Sequence, residues 1–162
     1  MSKSLKRVIA ALEAAGIATE VLETGAETRT AEQAAAAAGC ELDQIVKSIL
    51  FRGETTGGLF LFLTAGGNRV DAEAAAHLTG EPMGRADGML VRQVTGFAIG
   101  GVAPVGHLSP LPAWADPRLM DFSCVWAAAG TPRHIFPVEP TVLLRISGAR
   151  LASFAMPAPA DM

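Results

Sequence analysis

Lys47 lies in the middle of an apolar run, QIVKSILF at residues 44–51. A strand alternates its side chains between two faces, so Ile45, Lys47, Ile49 and Phe51 share one face. Val46, Ser48, Leu50 and Arg52 share the other. Lys47 falls on the more uniformly apolar face, which we expect to be the inner one. An unpaired ammonium there costs several kcal/mol or gives up its proton. A carboxylate partner would offset that cost, as would an open cavity containing water or an anionic substrate. Two structural alternatives carry no chemistry. A lysine on an edge strand guards against aggregation, and a long stem can carry its charge back to water. Ser48 follows at once and suggests a serine–lysine dyad. Neighbouring strand residues point to opposite faces, which rules that dyad out.

A second segment, TGFAIGGVAPVGH at residues 95–107, concentrates glycine and proline. It reads as a strand that ends at Gly100 and Gly101, with Pro104 stiffening the exit after Val102. Glycine lets a ligand come close to the main chain. N–H groups freed from a ladder can then point into a cavity. There they hold a carbonyl, or the oxyanion formed when it is attacked. Taken alone, a GxxxP pattern equally describes an ordinary tight turn.

Other catalytic groups are sparse. There is no GxSxG nucleophile elbow. Cys40 follows a helix end and Cys124 sits in an apolar strand, so both read as inert core residues. They form neither a CxxC motif nor a disulfide framework, which suits a reducing compartment such as the cytoplasm. His77 reads as structural or solvated, whereas His107 follows Pro104 closely enough to approach the same site. No histidine and carboxylate spacing fits a zinc site, so neither metal nor cofactor is expected.

The elements that must position these groups follow from periodicity and caps. Leu5, Val8, Ile9 and Leu12 mark one buried helix face, with Ser4 as N-cap and Gly16 just past the end. IATEVLE suits a short strand. Thr30 and Gln33 form a capping box that opens an alanine-rich helix closed by Gly39. IVKSILFR and LFLFLTA are strands joined by a hairpin turn, GETTGG. Asp71 and Asp87 cap two further helices, closed by Gly80 and Gly96. FSCVWAAA and HIFPV are strands, and Pro140 opens a last helix that ends at Gly148. We expect one α+β domain over residues 1–154, built on a mixed, strongly curved, barrel-like sheet flanked by helices. Residues 155–162 are expected to be a loose tail.

Composition bounds the partners. Hydrophobic residues are 50% and charged residues 18% of the 162, enough for a sizeable core. The mean hydropathy of +0.34 is high, yet no apolar run approaches the roughly 20 residues needed to span a bilayer. A net charge of −3 argues against a wide phosphate-tracking surface and against general DNA binding. A small contact with a nucleic-acid end, made by a few of Arg52, Arg69, Arg85, Arg92 and Arg133, stays open.

Taken together, IVKSILF, TGFAIGGVAPVGH and VWAAAGTPRHIF resemble the YbaK/EbsC family, and the likeness runs from the Thr30 helix to the final helix. That family includes editing domains inserted in, or related to, bacterial prolyl-tRNA synthetases. The resemblance implies an aminoacyl-tRNA deacylase, which hydrolyses the ester joining a wrong amino acid to the terminal adenosine. Its partners would be the tRNA acceptor end and an aminoacyl-tRNA synthetase. Lys47 matches the family's essential lysine, and Gly100 and Pro104 its GxxxP loop, whose main chain, through Gly101 and Val102, holds the carbonyl. Gly130 matches a glycine in a later pocket loop, and His134 lies near a histidine that recognises substrate in some relatives. The resemblance also implies that a ribose hydroxyl of the substrate helps to activate water. The rival reading is a non-catalytic module of the same fold that binds a small ligand or a tRNA end.

Overall fold

The computed structural model describes residues 2–159. In chain order the elements are α1 (Lys3–Ala14), β1 (Leu22–Glu23), α2 (Ala31–Ala38), β2 (Ile45–Gly53), β3 (Leu59–Ala65), β4 (Asn68–Val70), α3 (Ala72–Thr79) and β5 (Met83–Arg85). There follow α4 (Gly88–Thr95), β6 (Ala113–Ala115), β7 (Val125–Ala128), β8 (His134–Val138), α5 (Pro140–Ser147), β9 (Arg150–Leu151) and β10 (Ala155–Pro157).

The helices begin where short polar side chains can satisfy the first free N–H groups. Thr30 and Gln33 make a complete capping box at α2, and Asp71 and Asp87 cap α3 and α4. Ser2, rather than the expected Ser4, caps α1 by accepting from Leu5 N–H. Gly39, Gly80, Gly96 and Gly148 end four helices in the left-handed conformation.

The main sheet is mixed, in the order β1-β8-β7-β2-β3-β6-β9, with β5 added beside β2. It runs from one edge to the other without closing. β2 and β3 form its antiparallel spine, paired from Val46–Ala65 to Arg52–Leu59. The turn between them is fixed by Glu81, whose carboxylate accepts from Thr55 N–H, Thr56 N–H and the Thr56 hydroxyl.

The largest core lies on the face of Val46, Leu61, Leu63, Ala65, Ala127 and Phe136, where Leu5, Val8 and Leu12 of α1 pack. Lys47 is on the other face, so the expectation that it occupies the inner one is overturned. Both faces are covered. Phe62, Trp114 and Phe154 form a second cluster on the Lys47 side, against which Ile49 and Phe51 pack. Ala34 and Ala35 of α2 close over Ile45 there. An apolar count along one strand could not say which of two covered faces holds the larger core.

Three further expectations change. Of IATEVLE, only Leu22 and Glu23 form a strand. The segment expected to enter the glycine and proline loop as a strand is irregular throughout residues 96–112. It is anchored by fully buried Phe97 and Ala103, and Arg7 donates to Gly106 O at 2.9 Å. The tail expected to be loose from 155 begins with β10, which pairs with β4 at Ala155–Val70 and Met156–Arg69. Residues 160–162 of that tail lie outside the described residues.

Candidate active site on the Lys47 face

The site assembles where β2 leaves the shelter of β7. Lys47 sits opposite Thr64 of β3, and its amine donates to the main-chain carbonyl of Asn68. That carbonyl is held in place from behind. Asn68 Nδ2 donates to Asp116 Oδ2 at 2.8 Å. Asp116 is buried and also accepts from Ala65 N–H at 3.1 Å and Arg118 N–H at 2.9 Å. Asp43 accepts from Gly67 N–H at 2.7 Å and pairs with Arg118 Nε at 3.0 Å. Glycine is required at 66 because a Cβ there would lie 2.1 Å from Leu42 O.

No carboxylate forms an ion pair with Lys47 among the described residues. Burial pushes its amine below the usual lysine range, and the more distant charges of Glu32, Asp43 and Asp116 offset part of that. An ammonium has three donors. One goes to Asn68 O, which leaves two for a ligand.

Lys47 opens onto a cavity of about 230 Å³. Its roof is the start of α2, with Thr28, Thr30 and Ala34. Its floor is Ile45, Lys47 and Ile49 of β2 with Trp126, Ala128 and Ile135 from the neighbouring strands. Gly100 and Val102 close one side. A second cavity, of about 300 Å³, adjoins it, sharing Ser48, Ile49, Gly100 and Val102 and adding Leu50, Arg85, Ala86, Val91 and Ile99.

The structure thus brings Lys47 together with Gly100 and Val102, and leaves the other expected residues behind the walls. Gly101 is buried against the next loop, where a Cβ would sit 2.9 Å from Thr131 Cα. Pro104 is buried and lines neither cavity. Gly130, at φ 95°, faces α1 and Phe97, with a Cβ position 2.8 Å from Ser4 O. His134 shares the main-core side of β8 with Phe136, and its Nδ1 meets the Thr131 hydroxyl at 2.6 Å. His107 is tied to its own loop, Nε2 to Ala103 O at 2.7 Å, with its ring against Phe97. Burial holds its imidazole below the usual histidine range.

Of the five arginines considered for a nucleic-acid contact, Arg85 alone reaches a cavity wall. Arg29 and Thr28, not foreseen, also line the first cavity. Trp126 and the supports Asn68 and Asp116 were not foreseen either. The capping box marked where α2 starts, but nothing local shows that this start overhangs Lys47.

The chain matches the aminoacyl-tRNA editing domain model over residues 25–146. It is 30% identical to the uncharacterized protein YwhH of Bacillus subtilis (strain 168) over 132 residues, 82% of this chain and 83% of that protein. A solved structure described as a candidate trans-editing enzyme for prolyl tRNA synthetase is 48% identical, with a TM-score of 0.89, over 96% of this chain and 99% of that one. The crystal structure of a hypothetical protein, APE2540, is 26% identical, with a TM-score of 0.84, over 93% of this chain and 99% of that one.

Proposed function

The chain belongs to the aminoacyl-tRNA editing domain family, and from that premise we propose that it hydrolyses the ester of a tRNA mischarged with a small amino acid. Water adds to the ester carbonyl carbon, the bond to the ribose oxygen breaks, and that oxygen leaves with a proton. The products are the free amino acid and the tRNA.

The observation that carries this reading is the Lys47 amine, half-buried without a carboxylate partner, at the wall of a small cavity closed by Gly100 and Val102. Lys47 holds a phosphate or the reacting end of the substrate with its two remaining donors. Main-chain groups of the Gly100 to Pro104 loop hold the carbonyl. An aminoacyl ester is already reactive, so positioning and a few charge-stabilising donors supply most of what is needed. No side chain at the cavity wall serves as a general base, and a ribose hydroxyl of the substrate takes that part. Cavities of this size exclude bulky side chains by overlap. Attraction alone separates neighbours differing by one methylene by only about 1–3 kcal/mol.

The acceptor end of the tRNA is the macromolecular part of the substrate, and the cytoplasm is where such a substrate is met. The solved relative named for prolyl tRNA synthetase supports tRNA-Pro as the first tRNA to test and that synthetase as a partner. The test is a panel of tRNAs mischarged with Ala, Ser, Cys or 2-aminobutyrate, followed by release of amino acid. Release from at least one member above the uncatalysed rate supports the reading. Tight binding without release from any member would favour a binding module instead.

A further inference from the structure

One edge of β2 is interrupted at the site. β3 pairs with β2 without a break from Val46 to Arg52. On the opposite edge β7 pairs only with Ile45 and Val46, and β5 only with residues 51–53. Residues 47–50 have no strand beside them on that edge. The direction of their main-chain groups follows from β3. Leu61 N–H donates to Pro112 O and Asp116 N–H donates to Leu63 O, so Leu61 and Leu63 face away from β2. These groups alternate along an antiparallel strand. Phe60, Phe62 and Thr64 therefore face β2 and bond Phe51, Ile49 and Lys47. Val46, Ser48 and Leu50 turn their N–H and C=O to the other edge.

Ser48 is the centre of the interruption, and no main-chain hydrogen bond from outside the ladders reaches it among the described residues. Half-buried main-chain groups left open in this way are satisfied by water or by a ligand. Both cavities include Ser48 and Ile49 on one side and Gly100 and Val102 on the other. The gap is therefore a slot between the β2 edge and the glycine loop.

We infer that the Ser48 main chain is the docking edge for the aminoacyl group, taking it as one residue of the missing strand. This rests on the deacylase reading. An extended α-aminoacyl ester carries its ammonium and its carbonyl oxygen on the same side, as a strand residue carries its N–H and C=O. Ser48 C=O accepts from the α-ammonium and Ser48 N–H donates to the ester carbonyl, the doubly bonded pair of an antiparallel ladder. The second lone pair of that carbonyl is left for the glycine loop across the slot. Directly opposed residues place their side chains on one face. The amino-acid side chain then falls beside that of Ser48, toward Leu50, Ala86 and Val91 in the second cavity. Lys47 reaches the ester end from the opposite face.

The experiment uses the full-length protein and two substrate forms, the free α-amino ester and its N-acetyl derivative, on the same tRNA. Acetylation removes the charge and fills the slot, so kcat/KM, taken relative to each ester's own uncatalysed hydrolysis, falls about tenfold or more, the size of losing a hydrogen bond to a charged group. Ser48→Pro deletes only a donor that no ladder uses, and proline is tolerated at such an edge. It loses about tenfold relative to Ser48→Ala, which keeps the main-chain donor. Should Ser48→Pro not fold, the two substrates on the unaltered protein decide the matter. Equal rates on both forms, or a folded Ser48→Pro protein as fast as Ser48→Ala, overturn the inference while leaving the deacylase reading intact. Failure of the unaltered protein on every mischarged tRNA overturns both.

Discussion

At the scale of single residues, the proposed chemistry turns on one amine whose charge burial disfavours. The folded chain holds the Lys47 proton less firmly than the unfolded chain, because burial lowers its pKa. The cost of the charge is therefore present below the folded pKa and is relieved as pH rises toward the unfolded value of about 10.4. Activity runs the other way. A step that needs the cation slows as pH rises through the lowered pKa, so enzymatic deacylation, corrected for spontaneous hydrolysis, falls off at lower pH than an ordinary lysine allows. A rate that stays flat up to pH 10 contradicts a cationic role. His107 gives a second, independent pH signature. Its folded pKa is depressed by burial, with Arg7 adding to the effect. Stability is thus lost as pH falls below about 6.5 toward the folded value. His107→Gln removes that acid-limb dependence of the melting temperature, even if the variant melts lower at neutral pH.

Among elements, the Gly100 and Gly130 loops do different work although both glycines have positive φ. Gly130→Ala meets Ser4 O and Phe97 and adds left-handed strain. It costs about 2 kcal/mol or more, a melting shift of about 4–8 °C, while deacylation at low temperature stays near the parent rate. A Cβ on Gly100 meets nothing within 4 Å and projects beside the cavity. Gly100→Ala carries the same left-handed strain without the clash, so it costs less stability than Gly130→Ala and more rate. Equal effects of the two substitutions on rate would contradict this division. The same contrast marks what the sequence made legible. Caps, glycine stops and the long strand pair are local, and Thr30, Asp71, Asp87 and the alternation through Lys47 announced them. The short strands β4, β5, β6 and β9 are held by neighbours distant in sequence, as when Leu61 N–H reaches Pro112. No periodicity over two or three residues reveals them. Lys47, Gly100 and Val102 were recognisable by type and motif. Which wall opposes them was not, because α2 and the 96–112 loop meet β2 only in the folded chain.

For the whole molecule, charge bounds how a tRNA substrate would be held. A net charge of −3 argues against a continuous phosphate track. Binding of a tRNA end through two or three phosphates gives a slope of log affinity against log salt of about −1.4 to −2. A slope beyond about −5 would point to a broad nucleic-acid surface and away from end recognition. On the proposed reading, selectivity depends on the small cavities and the interrupted strand, and both survive only while α2, β7, β5 and the glycine loop keep their places around β2.

The central claim is that the Lys47 amine acts on the substrate and is not merely part of the fold. Lys47→Met keeps the stem, removes the charge and its desolvation cost, and gives up one hydrogen bond to Asn68 O. These changes oppose each other, so the variant should melt within a few degrees of the parent. Single-turnover deacylation of the best mischarged tRNA by this variant is the most direct measurement. The expected result is a fall of about a hundredfold or more, the scale of losing a charge-stabilising group. A folded Lys47→Met protein that releases the amino acid at the parent rate would contradict it.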